Sequence, residues 1–291
     1  MIVVMKRLLV CLAISGVFLA ACADSGPDPA PVSPRDAVLN AMKAVYEAGT
    51  LHQKLEMSMT GGGESFTMSG EADVDNVHKR IDMTMDLGML GGEMQLLMDD
   101  GLVYMRSPVF QDAGTEWVSL DPSKMDPAAA AQFGGFGTGT TDPSAYIGLF
   151  AGVFDVKASG DQELQGVPTT HFEGSIDLKK VLEGFADVVG EDVDAETRTQ
   201  LQMVVEQFES IGIDENIPFE IWIDEEGFPR RQRISMDFGD LVPGAEEASM
   251  QMTVDFSDFG KPVDIEIPRP SEVTDMTNAL ADTASGSGAH G

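Results

Sequence analysis

Strict alternation of apolar and polar residues is the feature that most constrains this fold. It is clearest over residues 81–87, which read IDMTMDL. A period of two residues places successive side chains on opposite faces of an extended strand. The pattern recurs along the chain in short segments separated by glycine-rich turns, such as residues 61–63 and 91–92. The series predicts an antiparallel sheet with one apolar and one polar face.

Between residues 51 and 267 we count about ten or eleven such strands, together with about four helices, which makes the fold class α+β. The helices are predicted over 35–49, 143–154, 178–185 and 196–211, where apolar residues recur at helical spacing. A sheet this wide curls rather than staying flat. The predicted helices are too few and too short to cover the concave face of such a sheet. Three alternatives remain: a second layer is missing, the concavity holds a ligand, or the strands fold back as a sandwich.

Residues 1–21 have the features of a bacterial lipoprotein signal peptide. Lys6 and Arg7 precede an apolar run, Leu8–Ala20, that is too short to cross a bilayer. The run ends in Leu-Ala-Ala-Cys, and small residues before a cysteine at this position predict cleavage before Cys22 and attachment of a diacylglycerol to its sulfur, with palmitate among the expected acyl chains. The alternative is a plain secretory signal with Cys22 incidental, and translation starting at Met5 is a further hypothesis.

The rest of the chain divides by composition. Residues 22–34 are predicted to be the lipidated cysteine and a proline-rich tether, 35–270 one folded domain, and 271–291 a disordered polar tail. The predicted location is the outer, extracytoplasmic face of the cell membrane, held by the lipid. After cleavage Cys22 is the one remaining cysteine, so no intramolecular disulfide is expected.

The formal net charge is −31, which disfavours nucleic acid and anionic headgroups as partners of a basic patch. Solubility explains this acidity, and calcium binding by the clusters at residues 73–75, 192–194 and 224–226 is the alternative. None of these clusters has a calcium-binding loop of the EF-hand type. The four histidines have no zinc-site spacing, and nucleophile-elbow, phosphate-loop and dinucleotide motifs are absent. We therefore expect no enzymatic activity, no metal and no cofactor.

Methionine is the residue that points to a function. At least eleven of the 18 methionines fall on the apolar faces of predicted strands. Methionine specifies a unique core poorly but suits a surface that adapts to flexible apolar ligands. The alternative is an ordinary closed core. The predicted lining of an apolar cavity is Met57, Met59, Met83, Met85, Met94, Met98, Met236, Met250 and Met252.

Four features resemble the LppX/LprG family of actinobacterial cell-envelope lipoproteins. They are the cysteine at the signal cleavage site, an N-terminal helix leading into alternating strands, the strand over 101–105 (GLVYM), and a hairpin over 221–231 (IWIDEEGFPRR). The hairpin is the most specific, because it is similar to the family pattern W-x-D-x-x-G-x-P-R-R. Its Arg230 and Arg231 are expected to pair with nearby carboxylates, with a lipid headgroup or a partner as the alternative.

The resemblance, which covers residues 35–270, implies a half-barrel: one strongly curved antiparallel sheet with helices over its concave side. It also implies binding of acylated lipids in that cavity and their transfer between envelope layers, with an envelope transport protein as a partner. We expect a monomer in which the segment 143–154 acts as a lid, with gate residues Tyr146, Ile147, Leu149 and Phe150. The alternative function is an envelope sensor or protein-interaction lipoprotein with a closed core.

Overall fold

A computed structural model describes residues 32–88, 92–108, 110, 114–125, 152–177, 180–181, 199, 202, 206, 217–238 and 248–277. The chain divides into two compact units, Met1–Val32 and Ser33–Gly291, and the helix and strands below lie in the second. Among the residues described, no helix is both long enough and apolar enough to span a bilayer.

One helix, α1 (Pro34–Glu47), opens the domain. The Ser33 side chain caps it by accepting a hydrogen bond from the backbone N–H of Asp36, and Pro34 occupies the first turn, where its missing N–H costs nothing. One stripe of the helix is buried, formed by Val38, Ala41, Met42 and Val45. α1 agrees with the helix predicted over 35–49.

Twelve strands follow in one curved, unclosed sheet. Along the sheet their order is β12-β6-β5-β4-β3-β2-β1-β11-β10-β9-β8-β7, and every pair is antiparallel except β12 with β6. The strands are β1 (Thr50–Gly61), β2 (Glu64–Asp75), β3 (Arg80–Asp86), β4 (Glu93–Asp99), β5 (Leu102–Arg106), β6 (Trp117–Leu120), β7 (Val153–Leu164), β8 (Val167–Ile176), β9 (Ile217–Asp224), β10 (Pro229–Asp237), β11 (Ser249–Ser257) and β12 (Val273–Asp275). The antiparallel sheet predicted from alternation is confirmed.

The face of the sheet that carries α1 is called the inner face. The buried stripe of α1 packs there against Ile217, Phe219 and Ile221 of β9 and against Phe172 of β8. Two further clusters lie along the sheet, one around Leu51, Val74 and Phe256 and one around Leu96, Val103 and Val118. The core is thus a layer of apolar side chains on one face, as alternation predicts.

Of the four predicted helices, α1 is the one described over its whole length. Lys180 and Val181 are helical within the predicted helix 178–185, and so are the described residues Thr199, Gln202 and Glu206 within 196–211. Of the predicted helix 143–154, residues 143–151 lie outside the described residues. Its predicted end is wrong, because Val153 and Phe154 are the first residues of β7 and pair with β8.

The predicted boundary at residue 270 is wrong. A 3₁₀ turn over Pro270–Glu272 leads into β12, which pairs in parallel with β6. The side chain of Thr277 then accepts the backbone N–H of Asp121 at 3.0 Å. A three-residue strand containing Thr274 and Asp275 has no apolar alternation, so composition classed it with the polar tail. The folded domain therefore includes residues 271–277.

The last of the strands counted between residues 51 and 267, predicted over Val263, Ile265 and Ile267, is also wrong. Residues 261–269 pair with no strand among the described residues. Ile267 and Pro268 line a cleft together with Gln95 and Trp117, so this segment lies against the outer face of the sheet. Its alternation arises because one side packs on the sheet while the other remains in solvent.

Candidate functional site

Strand register places all nine predicted lining methionines on the inner face. Residues directly opposite each other in an antiparallel pair share a face, and the pairing can be followed from β5 to β10. Met68, Met57, Met252 and Ile234 form one row across four strands, and Ile234 packs on the α1 cluster. Within the described strands β1–β5, β10 and β11, register places eleven methionines on this face, namely Met57, Met59, Met68, Met83, Met85, Met94, Met98, Met105, Met236, Met250 and Met252.

The densest part lies between β1 and β11. Met57 is opposite Met252, and Met59 is opposite Met250. These four residues, called the methionine quartet, are flanked by Met68 opposite Met57 and by Met236 opposite Met250. All six side chains are half-buried. By contrast, Met85 and Met94, a facing pair between β3 and β4, are only 7% and 6% exposed.

The other end of the same strands is closed. Leu51 and Val74, directly opposite each other on β1 and β2, are 1% and 6% exposed and pack with Val45 of α1. The turn after β2 fixes this end, because the side-chain amide of Asn76 donates to the carbonyl of Val45 at 3.2 Å. The inner face is therefore filled at its α1 end and partly accessible at its methionine end.

The hairpin between β9 and β10 is held by one buried carboxylate. Oδ1 of Asp224 accepts the backbone N–H groups of Glu226 and Phe228, and Oδ2 accepts Nε of Arg230 at 2.6 Å. Arg231 makes a two-bond pair with Asp255 across β10 and β11, which raises the pKa of Arg231. The structural interpretation of the arginine pair is confirmed.

The outer face carries a stacked cluster that sequence reasoning missed. The rings of His171 and Trp222 stack at 4.2 Å with 5° between their planes, and the guanidinium of Arg233 lies 5.2 Å from the Trp222 ring centre. Glu220 joins both ends of the stack, accepting from Arg233 at 3.1 Å and lying 2.9 Å from Nε2 of His171. Only the tryptophan of the hairpin pattern pointed here, since His171 is distant in sequence.

The described acidic clusters proposed as calcium ligands already bind protein donors. Burial raises the pKa of Asp75, but hydrogen bonds from His78 and from the backbone of Val77 outweigh burial and lower it overall. Asp73 lies 2.8 Å from Nδ1 of His52. Asp224 accepts hydrogen bonds from the backbone of its own turn and from Arg230. A calcium ion would have to displace these partners. Residues 192–194 lie outside the described residues.

Two clefts lie at the outer face. One, of about 580 Å³, is lined by Asp82, Arg106, Trp117 and the 264–269 segment. The other, of about 430 Å³, adjoins it around Arg106 and Glu116. Arg106 is held there by Gln95 and Glu116 and stacks on Trp117 at 5.0 Å. No methionine lines either cleft.

Two sets of predicted site residues cannot be placed. Cys22 and the gate residues Tyr146, Ile147, Leu149 and Phe150 lie outside the described residues. The described site is thus one apolar, methionine-rich face of a wide unclosed sheet.

Comparison with solved structures identifies similar chains at low sequence identity. LppX from Mycobacterium tuberculosis, a lipoprotein, is 15% identical with a TM-score of 0.47 over 80% of this chain and 98% of its own. LprF from Mycobacterium bovis is 14% identical, also at 0.47, over 81% and 96% of the two chains. LppX is therefore among the solved structures similar to this chain, as the resemblance in the sequence predicts. At these scores the likeness assigns no ligand.

Comparison of sequences gives one distant relative. An uncharacterised 31.2 kDa protein from Streptomyces griseus is 28% identical over 126 residues. The match covers 43% of this chain and 36% of that protein, so the chain spans little more than a third of its curated relative. No protein-family model matches.

Proposed function

We propose that this chain is a membrane-anchored envelope lipoprotein that binds acylated lipids against its inner face and carries or presents them between envelope layers. The observation that supports it is the methionine end of that face, where six half-buried methionines lie on four adjacent strands. Acyl chains displacing water there gain about 0.8 kcal/mol per buried methylene. Flexible methionine side chains fit chains of varied shape without a fixed packing arrangement.

Cys22 would carry the anchor on the outer side of the membrane, and an envelope transport protein would load or receive the lipid. Helices would cover the concave side, completing a half-barrel, with the part of the 143–154 segment that precedes β7 as its lid. Replacing Leu149 and Phe150 by aspartate should then release lipid from a folded protein, and unchanged lipid content in that folded variant would refute the gate.

The direct test is native mass spectrometry of the compact unit Ser33–Gly291, followed by organic extraction of the same sample. Because this unit lacks Cys22, any lipid found is ligand rather than anchor. A discrete added mass that extracts as acylated lipid supports the carrier. A bare protein mass, still bare after incubation with envelope lipids, contradicts it and favours the sensor with a closed core, to be followed by a search for a stoichiometric protein partner.

A matched pair of variants locates the binding face. Met57→Gln/Met252→Gln places two amides in directly opposite positions on the inner face and should reduce retained lipid by at least about tenfold, since uncompensated amide burial costs about 1–3 kcal/mol per group. Ser58→Gln/Thr253→Gln alters the outer face of the same two strands. It should retain lipid at the wild-type level. Equal lipid content in the two folded variants would place the ligand elsewhere.

A further inference from the structure

The methionine quartet brings together four thioether sulfurs, which an apolar surface alone does not require. Both strands contain a methionine–x–methionine motif, residues 57–59 and 250–252, and the register places the two motifs directly opposite each other. We propose that the quartet binds Cu(I) through its thioether sulfurs. This proposal goes beyond lipid binding and does not depend on it.

The backbone brings the four side chains within reach of one ion. Opposite residues of an antiparallel pair have Cα atoms about 4.5–5.5 Å apart, and residues two apart on a strand are separated by roughly 7 Å. The quartet is therefore a small rectangle of flexible side chains, each with three rotatable bonds. Met68 and Met236 stand next to two of its corners, so a fifth and a sixth sulfur are available. Half-burial leaves the group reachable.

Thioether sulfur selects the metal. It is a soft, neutral ligand that suits Cu(I), whereas Ca²⁺ and Mg²⁺ prefer oxygen. Residues 55–78 and 234–260, the stretches of chain that contain the quartet together with Met68 and Met236, hold no lysine or arginine, so no cationic side chain lies beside these sulfurs in the sequence. The net charge of −31 raises the local concentration of any cation.

The residues next to the quartet on the same face support a specific need for sulfur at the quartet positions. Towards α1, β1 and β11 use Leu55 opposite Val254, and beyond them Leu51 and Phe256. Aliphatic and aromatic side chains therefore meet the need for apolar surface there, and branched residues favour strands more than methionine does. Replacing methionine by leucine keeps volume and apolarity but removes the sulfur, so this exchange separates metal binding from lipid binding.

The test is an anaerobic titration of the full chain with Cu(I) in competition with the chromophoric chelator bathocuproine disulfonate. Every protein carries Cys11→Ser and Cys22→Ser, so that no thiol competes for the metal. Met57→Leu/Met59→Leu/Met250→Leu/Met252→Leu should weaken binding by more than about 100-fold, because even outer-shell changes at metal sites cost about 10–100-fold. Met42→Leu/Met85→Leu/Met94→Leu/Met105→Leu, which alters buried methionines, should remain within about threefold of wild type.

Dependence on pH identifies the ligands. Thioethers have no proton to lose, so the affinity should be constant between about pH 5 and 8, whereas ligands that must deprotonate bind more weakly in acid. His171, Glu173 and Glu220, whose ligand atoms lie within 4.8 Å of one another, are such an alternative. An affinity that falls steeply in acid would overturn the proposal in favour of a site of that kind.

Equal affinity of the quartet variant and wild type, or failure of wild type to compete for Cu(I), would also overturn the proposal. If the fourfold variant does not fold, Met57→Leu/Met250→Leu replaces it, and copper K-edge absorption of the wild-type complex must show sulfur ligands alone. Nitrogen or oxygen ligands in that spectrum contradict the quartet. Leucine preserves the apolar lining, so a failure of the copper test leaves the lipid proposal intact. A bare protein mass in the lipid test likewise leaves the copper proposal intact.

Discussion

Where α1 lies on the sheet, the inner face is built mainly from aromatic and branched side chains, whereas at the far end of β1 and β11 it is built from methionines. In the first region Phe219 and Ile221 are 1% and 0% exposed and pack on Val38 of α1. In the second, Met57 and Met59 are half-buried. Both regions belong to one continuous sheet. The difference therefore lies in the side chains, and it separates a fixed core from an adaptable surface.

Stiff side chains define the α1 region. Phe219 fits against Gly174, its cross-strand neighbour, where an added Cβ would lie 2.7 Å from the phenyl ring. Such packing has a single arrangement and resists a change of volume. The methionine region has more rotatable bonds for each side chain, so it accepts several arrangements of similar energy. In a protein that binds varied ligands, a rigid α1 region would keep the sheet folded while the methionine region changes its side-chain arrangement.

The largest expected effect is the loss of Phe219. Phe219→Ala should lower the free energy of unfolding by about 3–5 kcal/mol, because it removes a fully buried ring and leaves a cavity against α1. Met59→Ala on the same face should cost only about 1 kcal/mol, since its side chain is already partly hydrated. Urea unfolding followed by circular dichroism measures both. Similar losses would mean that the methionine region is as rigidly packed as the α1 region.

Next in size is the buried carboxylate that holds the β9–β10 hairpin. Asp224→Ala leaves the Arg230 guanidinium and two backbone N–H groups without their acceptor, so we expect a loss of about 2–3 kcal/mol. Glu225→Ala, an exposed change in the same turn, is the matched control and should shift stability by less than about 0.5 kcal/mol. Equal midpoints in urea would show that the turn does not depend on its carboxylate.

The sequence predicted the faces of this sheet well because alternation is a local property. Met57 and Met252 are far apart in the chain, yet each could be placed on the apolar face from its own strand. Alternation also predicted the wrong strand near Ile265, because a segment crossing a sheet can bury every second residue without pairing. The short parallel strand β12 had no pattern of its own, and its position is set by its contacts with β6.

The candidate site was predictable as a set of residues but not as an arrangement. Composition identified the methionines, whereas the quartet depends on the pairing of β1 with β11, which lies beyond local pattern. The stack of His171, Trp222 and Arg233 was missed for the same reason, since three strands contribute to it. The residue types could be identified from the sequence, whereas the pairing of strands that are distant in the chain could not.

The smallest effect concerns pH at the closed end of the inner face, where Asp75 holds the turn whose Asn76 binds the end of α1. Its folded pKa lies below the ordinary 3.8, so its carboxylate stabilises the fold above that pH, and the stabilisation disappears as the pH falls through the folded pKa. Asp75→Ala should therefore cost about 1 kcal/mol at pH 7 and progressively less below about pH 4.

Urea midpoints of wild type and Asp75→Ala at several values between pH 7 and pH 3 measure this difference. Glu64→Gln, at the exposed first residue of β2, corrects for the change in net charge. Because the turn anchors α1 and not the quartet, retained lipid should be the same in both proteins at pH 7. A difference in stability that stays constant down to pH 3 would show that Asp75 acts only as a neutral acceptor. Loss of lipid at pH 7 would instead mean that the two ends of the inner face are coupled, and the contrast between core and binding surface would then have to be abandoned.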